Sequence, residues 1–295
     1  MSFTRFICFL RFLCGFGLLM CSSLVCAKDT LKWLEMDAPP YHIQAGKLHN
    51  QGIVDQVSQL IQQHMPNYLH SERVMNLPRV KEVMRIGQEV CHASLYKTPK
   101  REAVAYFSQV PSTMFPPVGL TIKEESFELF DENPMVSFSE VLIRQDLMGG
   151  ISKGRSYGKS LDKILKQYER TARLERRSGD DIYQGLFNML LYGRVDYILG
   201  SPLESGFAQR NLAAENKVFN IMLKERNSYD FGFVACSKTP WGKRIIEEIN
   251  AVLIKIRPTP QYKSYFTKWL DDLSKGSFEK AYNEQFLVYG INKAS

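Results

Sequence analysis

The residues that come nearest to a catalytic motif are Gly154-Arg155-Ser156-Tyr157-Gly158, which match the Gly-x-Ser-x-Gly turn of α/β-hydrolases. In those enzymes the histidine of the triad follows the nucleophilic serine along the chain. Here every histidine precedes Ser156, namely His42, His49, His64, His70 and His92. The order excludes a hydrolase. What remains is a glycine-bearing loop that opens a helix, whose free backbone N–H groups can bind a carboxylate or a phosphate.

The pattern Ser-x-x-Lys, which is typical of penicillin-binding proteins, begins at Ser94, Ser160 and Ser277. Neither Ser-Asp-Asn nor Lys-Thr-Gly accompanies it, so we interpret these matches as chance. The sequence also contains no Walker loop, zinc motif or dinucleotide fingerprint. We therefore expect no cofactor and no metal.

The first 27 residues have the pattern of a signal peptide. Arg5 and Arg11 are their only charges, and the run from Phe12 to Ala27 is uncharged. Val25 and Ala27 supply the small side chains that a signal peptidase requires, which predicts cleavage after Ala27. The sequence thus predicts export to the periplasm.

Two alternatives to cleavage after Ala27 remain open. An uncleaved anchor needs ~20 apolar residues to span a bilayer, and this run is shorter. A lipoprotein would be cleaved before Cys21 or Cys26, but Met20 and Val25 are bulky where such a site needs a small residue. Both alternatives are therefore less favoured.

Four of the six cysteines leave with the signal peptide, so the mature chain keeps Cys91 and Cys236. An even pair in an oxidising compartment predicts one disulfide. The alternative is two buried free thiols, because both residues lie in apolar runs typical of strands. Metal ligation is disfavoured, since His92 would point to the opposite face of the strand from Cys91.

Composition indicates an ordinary globular protein and excludes a disordered or collagen-like chain. Of 295 residues, 44% are hydrophobic and 23% are charged, and this length favours one large or two ordinary domains. Loss of Arg5 and Arg11 lowers the net charge from +7 to +5, and no dense basic block is present. The local cluster from Arg170 to Arg177 is interpreted as a solvated helix end or loop. We therefore expect no nucleic-acid partner.

Strand and helix patterns alternate in two groups that are separated by a polar, acidic segment from Lys123 to Pro134. This arrangement predicts an α/β fold with two lobes. Residues 28–122 and 229–295 are expected to form lobe one, and residues 123–228 lobe two. The chain would then cross between lobes near Lys123 and near Tyr229.

The stretch from Cys91 to Ser108 resembles the Gly-x-Ser/Thr-x-Thr-x-x-Arg and Phe-Ser segment of extracellular solute-binding protein family 3, the periplasmic amino-acid receptors of ABC transporters. Further matching pieces follow in the order of the family and cover essentially the whole mature chain: Pro39-Pro40-Tyr41, Gly52-Ile53-Val54-Asp55, Gly154 to Ser156, Gly193 to Asp196, and Phe231 to Ala235. The resemblance implies a type II periplasmic binding fold with a ligand cleft between two lobes.

By this resemblance, Arg101 would hold the carboxylate of the ligand in a bidentate contact that a lysine could not reproduce. Thr98 and Ser94 would add hydroxyl or backbone contacts from the same lobe, and Tyr41 would cover the apolar part of the ligand. The alternative for Arg101 is a surface salt bridge with Glu102 or another acid.

From lobe two, the resemblance implies that Ser156 and the neighbouring loop, including Arg155, bind the carboxylate. Two positions depart from the family pattern. Tyr96 stands where a small hydroxyl residue is usual, and Ser201 stands five residues after Asp196, where an acid would pair the ammonium of the ligand. A carboxylate or aromatic ligand is therefore as consistent with the sequence as a standard α-amino acid.

The resemblance thus implies a monomeric protein that binds a small molecule for an ABC permease or for a membrane sensor and does not catalyse a reaction. The alternative from another class is a periplasmic enzyme on the same fold, such as a dehydratase. It would need a general acid or base in the cleft, for which His92, Glu204 or Glu35 are the candidates.

Overall fold

Two separate six-stranded sheets organise the chain in the computed structural model, which describes residues 28–153, 155–177, 182–212, 217–226 and 228–290. The expected signal peptide, residues 1–27, lies outside the described residues. Within the described ranges, no helix is both long enough and apolar enough to cross a bilayer.

The first sheet has the order β2-β1-β3-β12-β4, and β5 also pairs with β12. β1 is parallel to β2 and β3, whereas β12 is antiparallel to β3, β4 and β5. Its strands are β1 (Thr30–Glu35), β2 (Leu69–Val74), β3 (Val90–Tyr96), β4 (Ala105–Phe107), β5 (Thr113–Phe115) and β12 (Asp230–Ser237).

Six α-helices and one turn of π-helix accompany this sheet: α1 (Ile53–Gln63), α2 (Leu77–Arg85), α3 (Pro99–Glu102), α8 (Pro240–Ile256), α9 (Pro260–Thr267), α10 (Asp272–Ala281) and the π turn (Tyr282–Phe286). α8 begins at Pro240 because the Thr239 hydroxyl accepts the N–H of Gly242 and proline fits the first helical position. Its apolar face packs into the largest hydrophobic core.

The second sheet has the order β7-β11-β6-β10-β8-β9. Its strands are β6 (Gly119–Lys123), β7 (Met135–Val136), β8 (Gly149–Ser152), β9 (Leu174–Arg177), β10 (Tyr197–Gly200) and β11 (Val218–Leu223). The helices of this lobe are a 3₁₀ segment (Glu124–Phe130), α4 (Phe138–Ile143), α5 (Lys159–Gln167), α6 (Ile182–Leu191) and α7 (Pro202–Leu212).

The first crossing between lobes lies earlier than the sequence suggested. β6 pairs with β10 and β11 of the second sheet, so the chain has already left lobe one at Gly119 rather than at Lys123. The acidic segment after Lys123 forms the 3₁₀ segment within lobe two. The return crossing lies between Leu223 and Asp230.

The predicted disulfide between Cys91 and Cys236 is confirmed. These residues face each other across the antiparallel pair of β3 and β12, with a Cα to Cα distance of 4.1 Å, and both are fully buried. The bond therefore joins the first half of lobe one to the strand on which the chain returns from lobe two.

The lobes also pack against each other through α7. The backbone of Gly206 approaches lobe one so closely that a Cβ there would lie 1.7 Å from the carbonyl oxygen of Trp269. The ring centroids of Phe207 and Trp269 are 5.9 Å apart, and Leu203 belongs to the core of lobe one. Only glycine fits at position 206 in this arrangement.

Candidate functional site

Aromatic rings line the lobe-one side of the space between the lobes. Tyr41 and Tyr96 each meet the ring of Phe115 edge to face, at centroid distances of 5.2 Å and 5.3 Å. Tyr41 follows a cis peptide between Pro39 and Pro40, and its carbonyl accepts the N–H of Val54 at 2.8 Å. Helix α1 thereby fixes the backbone that presents Tyr41.

Arg101 lies beside this aromatic wall on α3. The Thr98 side chain caps α3, at 3.4 Å from the N–H of Arg101, and the Arg101 Nη1 donates to the carbonyl of Tyr96 at 2.8 Å. Burial lowers the pKa of the half-buried Arg101 guanidinium. Among the described residues no carboxylate forms an ion pair with Arg101, and the alternative partner, Glu102, instead pairs with Lys97 at 3.5 Å.

Ser94 lies on the floor of the site with its hydroxyl already engaged. Its Oγ is 2.5 Å from the Oγ1 of Thr113, and both residues are buried. Gly232 of β12 passes directly over the two hydroxyls, since a Cβ there would lie 2.2 Å from each. Ser94 therefore supports the floor, and its backbone N–H is also occupied, by the Nδ1 of His92 at 3.0 Å.

On the lobe-two side, Arg155 and Glu204 form a bidentate ion pair with N to O distances of 2.8 Å and 3.0 Å. Glu204 also accepts the N–H of Ser201 at 2.9 Å, and the Arg155 guanidinium lies 5.2 Å from the Tyr157 ring centroid. Burial is the largest influence on the pKa of Arg155 and lowers it, but the charge and the hydrogen bonds of Glu204 together outweigh burial and leave that pKa raised.

Ser156 is exposed, and its donors point to a carboxylate of the protein itself. The Ser156 hydroxyl donates to Asp162 of α5, and the N–H of Tyr157 donates to the other oxygen of Asp162 at 2.8 Å. Gly154, which begins this loop, lies outside the described residues. The start of α5 is therefore capped internally, and the sequence alone did not indicate that Asp162 would occupy it.

Side chains of the two lobes meet in the cleft. Burial, followed by the charge of Glu204, raises the pKa of Tyr41, and the nearby Ser201 side chain of lobe two opposes this. Burial and the charge of Asp230 raise the pKa of Tyr96 to about 12, although nearby arginines of both lobes oppose this. The structure thus brings together Arg101, Tyr96 and Tyr41 of lobe one with Arg155 and Ser201 of lobe two.

A cavity of about 490 Å³ lies next to this cluster and is also lined by both lobes. Lobe one contributes residues from Asp37 to Gly46, and lobe two contributes α6 and α7, including Tyr183 and Phe207. None of the ligand-binding residues expected from the sequence lines this cavity. Glu204 connects the two places, because it lines the cavity and also binds Arg155.

A buried ionic cluster lies behind Tyr41. The His42 Nδ1 is 2.7 Å from Glu35 and 3.0 Å from Asp55, and Asp55 also accepts the N–H groups of Ile43 and Gly52. Burial opposes protonation of His42, but the hydrogen bonds to Asp55 and Glu35 raise its pKa to about 9. The three ligand atoms lie within 4.8 Å of one another, close enough to surround a cation, and a protonated His42 places one positive charge beside both carboxylates instead. The buried Nε2 of His42 has no hydrogen-bond partner among the described residues.

Glu35 and Glu204 are ion-paired, and His92 accepts the N–H of Ser94 at Nδ1 while its buried Nε2 has no partner among the described residues. Burial, followed by the charges of His42 and Arg101, lowers the pKa of His92 well below its usual value, so its ring is neutral. Glu35 belongs to the buried ionic cluster, and Glu204 is paired with Arg155.

The sequence analysis missed Phe115 and the pairing of Arg155 with Glu204. A signal for Glu204 was present, because Ser201-Pro202-Leu203-Glu204 has the Ser-x-x-Glu spacing of a capping box at the start of α7. Phe115 lies in a three-residue strand, and nothing local indicates that its ring would contact Tyr41 and Tyr96.

Two α/β lobes with a cleft between them define the fold of the two-lobed periplasmic binding proteins, as the resemblance implied. The chain is similar to the probable amino-acid ABC transporter extracellular-binding protein ytmK from Bacillus subtilis, with a TM-score of 0.61, 18% identity, and 83% of this chain and 99% of that chain covered. The second substrate-binding domain of Lactococcus lactis GlnP, in an open conformation, gives a TM-score of 0.62 at 14% identity, with 82% and 96% covered.

A histidine kinase sensor domain with similarity to periplasmic binding proteins is also similar, with a TM-score of 0.52, 15% identity, and 82% of this chain and 96% of that chain covered. No family model matches the sequence, and no curated protein matches it. At these identities the comparisons establish the fold.

Proposed function

We propose that this protein is an exported, monomeric binding protein that captures a small carboxylate-bearing or amino-acid-like ligand between its lobes. The observation that carries the proposal is Arg101. Its guanidinium is half-buried in the cleft, and no carboxylate of the described residues neutralises it. A guanidinium in such a place binds a ligand carboxylate in a bidentate geometry.

Each side of the cleft has a distinct part in this proposal. Tyr41 and Tyr96 contact the body of the ligand, while Thr98 and Ser94 keep Arg101 and the floor in place. Arg155 and Ser201 close the site from lobe two, and Ser156 caps α5 in support of that wall. The ligand enters when the lobes separate, and closure buries it.

The partner is a membrane protein that responds to the closed form. The similarity to a protein named as a probable amino-acid ABC transporter extracellular-binding protein favours an ABC permease, and the similarity to a kinase sensor domain leaves a membrane sensor as the second candidate. Neither partner requires catalysis or a cofactor from this chain. Cleavage of the signal peptide after Ala27 and delivery to the periplasm belong to the same proposal.

Native mass spectrometry of the purified mature chain tests this function directly. We expect a co-purifying small carboxylic acid that is lost in Arg101→Ala. Arg85→Ala is the matched control, because Arg85 is an exposed arginine of the same lobe that pairs locally with Glu82. Retention of the compound in Arg101→Ala, or absence of any carboxylic acid from the wild-type protein, would contradict the proposal.

A further inference from the structure

The charges around Tyr96 do not balance. Arg155 is bound by Glu204, and Arg226 is bound by Asp230 at 2.6 Å. Arg101 has no acidic partner among the described residues, and all three arginines are close enough to Tyr96 to influence its pKa. This part of the cleft therefore carries one positive charge in excess of its acids.

Among the described residues, the two acids in this part of the cleft, Glu204 and Asp230, are each paired with an arginine. Glu204 already accepts two N–H groups of Arg155 and the N–H of Ser201. An ammonium that displaced Arg155 would leave a largely buried guanidinium against Tyr157 without a counter-charge, which is costly. Asp37, in the adjacent cavity, is exposed and solvated.

The surfaces that remain for the body of a ligand are apolar. Tyr41, Phe115 and Tyr96 form a continuous set of edge-to-face rings beside Arg101. Such rings favour an aromatic or aliphatic group that follows the carboxylate. A ligand with one carboxylate and an apolar body would neutralise Arg101 and leave the Arg155 and Glu204 pair unbroken.

We propose that the cleft selects a monocarboxylate that has an apolar or aromatic body and no ammonium group. This inference rests on the proposed function, and it narrows the ligand to one class. Arg101 binds the carboxylate, and the pair of Arg155 with Glu204 discriminates against amines because it leaves the ammonium without an anion.

Titration calorimetry at neutral pH with matched pairs of acids tests the selectivity. 3-Phenylpropionate differs from L-phenylalanine, and 4-methylpentanoate differs from L-leucine, only by the ammonium group. We expect the acid without ammonium to bind at least tenfold more tightly in each pair. Arg101→Ala should weaken both members of each pair, whereas Arg85→Ala should leave all four affinities unchanged.

A third pair separates this inference from its main competitor. If a ligand opens the pair of Arg155 with Glu204 and bridges the two residues, L-glutamate will bind more tightly than glutarate. Tighter binding of the amino acid in any pair, with Arg101 still required, overturns the inference and leaves the proposed function in place. Absence of binding by every acid, or binding that does not depend on Arg101, overturns both.

Discussion

The two walls of the cleft differ in how far their charges are satisfied. The lobe-one wall presents Arg101 with only the Tyr96 carbonyl as a hydrogen-bond acceptor among the described residues. The lobe-two wall is internally paired, with Glu204 bound to Arg155 and Asp162 bound to Ser156. A wall with an unneutralised guanidinium can bind an anion by itself, whereas a neutral wall mainly excludes water. We infer that ligand binds to lobe one first and that lobe two closes over it.

The largest effect should come from removal of the unneutralised charge. Loss of a desolvated contact between arginine and carboxylate costs ~2–5 kcal/mol, so Arg101→Ala should weaken binding roughly 30-fold to several thousand-fold. Arg101→Lys should recover little of this, because an ammonium cannot replace the planar fork. Titration calorimetry with the co-purifying ligand measures both variants.

The stability of the same variants without ligand is the control. Arg101 makes one side-chain hydrogen bond to a carbonyl and no ion pair among the described residues, so the melting temperature of Arg101→Ala should barely change. Normal binding combined with a clearly lower melting temperature would instead make Arg101 a structural residue and would remove the difference between the two walls.

The next effect concerns the rigidity of the lobe-one wall. Cys91 and Cys236 join neighbouring strands across 145 positions of sequence, and β3 ends at Tyr96, whose carbonyl accepts a hydrogen bond from Arg101. Replacement of both cysteines by alanine should lower the free energy of unfolding by about 2–5 kcal/mol, measured by urea denaturation. Peptide mapping without reductant checks the bond, and two free thiols in the exported protein would contradict it.

The helix that carries Arg101 and the cysteine pair of lobe one could be predicted from sequence, whereas Phe115 of the same wall could not. Arg101 lies three residues after Thr98-Pro99, which starts the helix that carries it, and the cysteine pairing follows once the signal peptide is removed. The lobe-two wall depends on contacts between distant segments: Arg155 meets Glu204 49 positions further along. The predicted lobe boundary at Lys123 was wrong for a related reason. An acidic segment can lie within one lobe as well as in the connection between two lobes.

A third effect concerns the buried cluster behind Tyr41. The folded-state pKa of His42, about 9, lies above its ordinary value of 6.5. Protonated His42 therefore stabilises the fold fully below pH 6.5, and this stabilisation is lost as pH rises through about 9. We expect the free energy of unfolding to fall by about 2 kcal/mol between pH 7 and pH 9.

Urea denaturation across that range measures the loss in the wild-type protein. His42→Gln should abolish this part of the pH dependence, while His49→Gln, at an exposed position, should retain it. His92 cannot substitute for His42, because burial keeps its pKa low. Equal slopes for the wild-type protein and His42→Gln would show that the cluster is not held by a protonated histidine.

The smallest effect tests whether the lobe-two wall closes by packing α7 against lobe one. A Cβ at Gly206 would overlap the carbonyl oxygen of Trp269, so Gly206→Ala must hold α7 away from lobe one. We expect about tenfold weaker binding of the co-purifying ligand, equivalent to ~1.4 kcal/mol. Small-angle scattering should show that saturating ligand reduces the radius of gyration of the wild-type protein and reduces that of the variant less.

Gly276→Ala is the matched control, because it places the same methyl group in helix α10 where no atom lies within 4 Å. An unchanged scattering profile of the wild-type protein at saturation would contradict closure of the lobes. Binding by Gly206→Ala as tight as that of the wild-type protein would show that closure does not depend on the contact of α7 with Trp269.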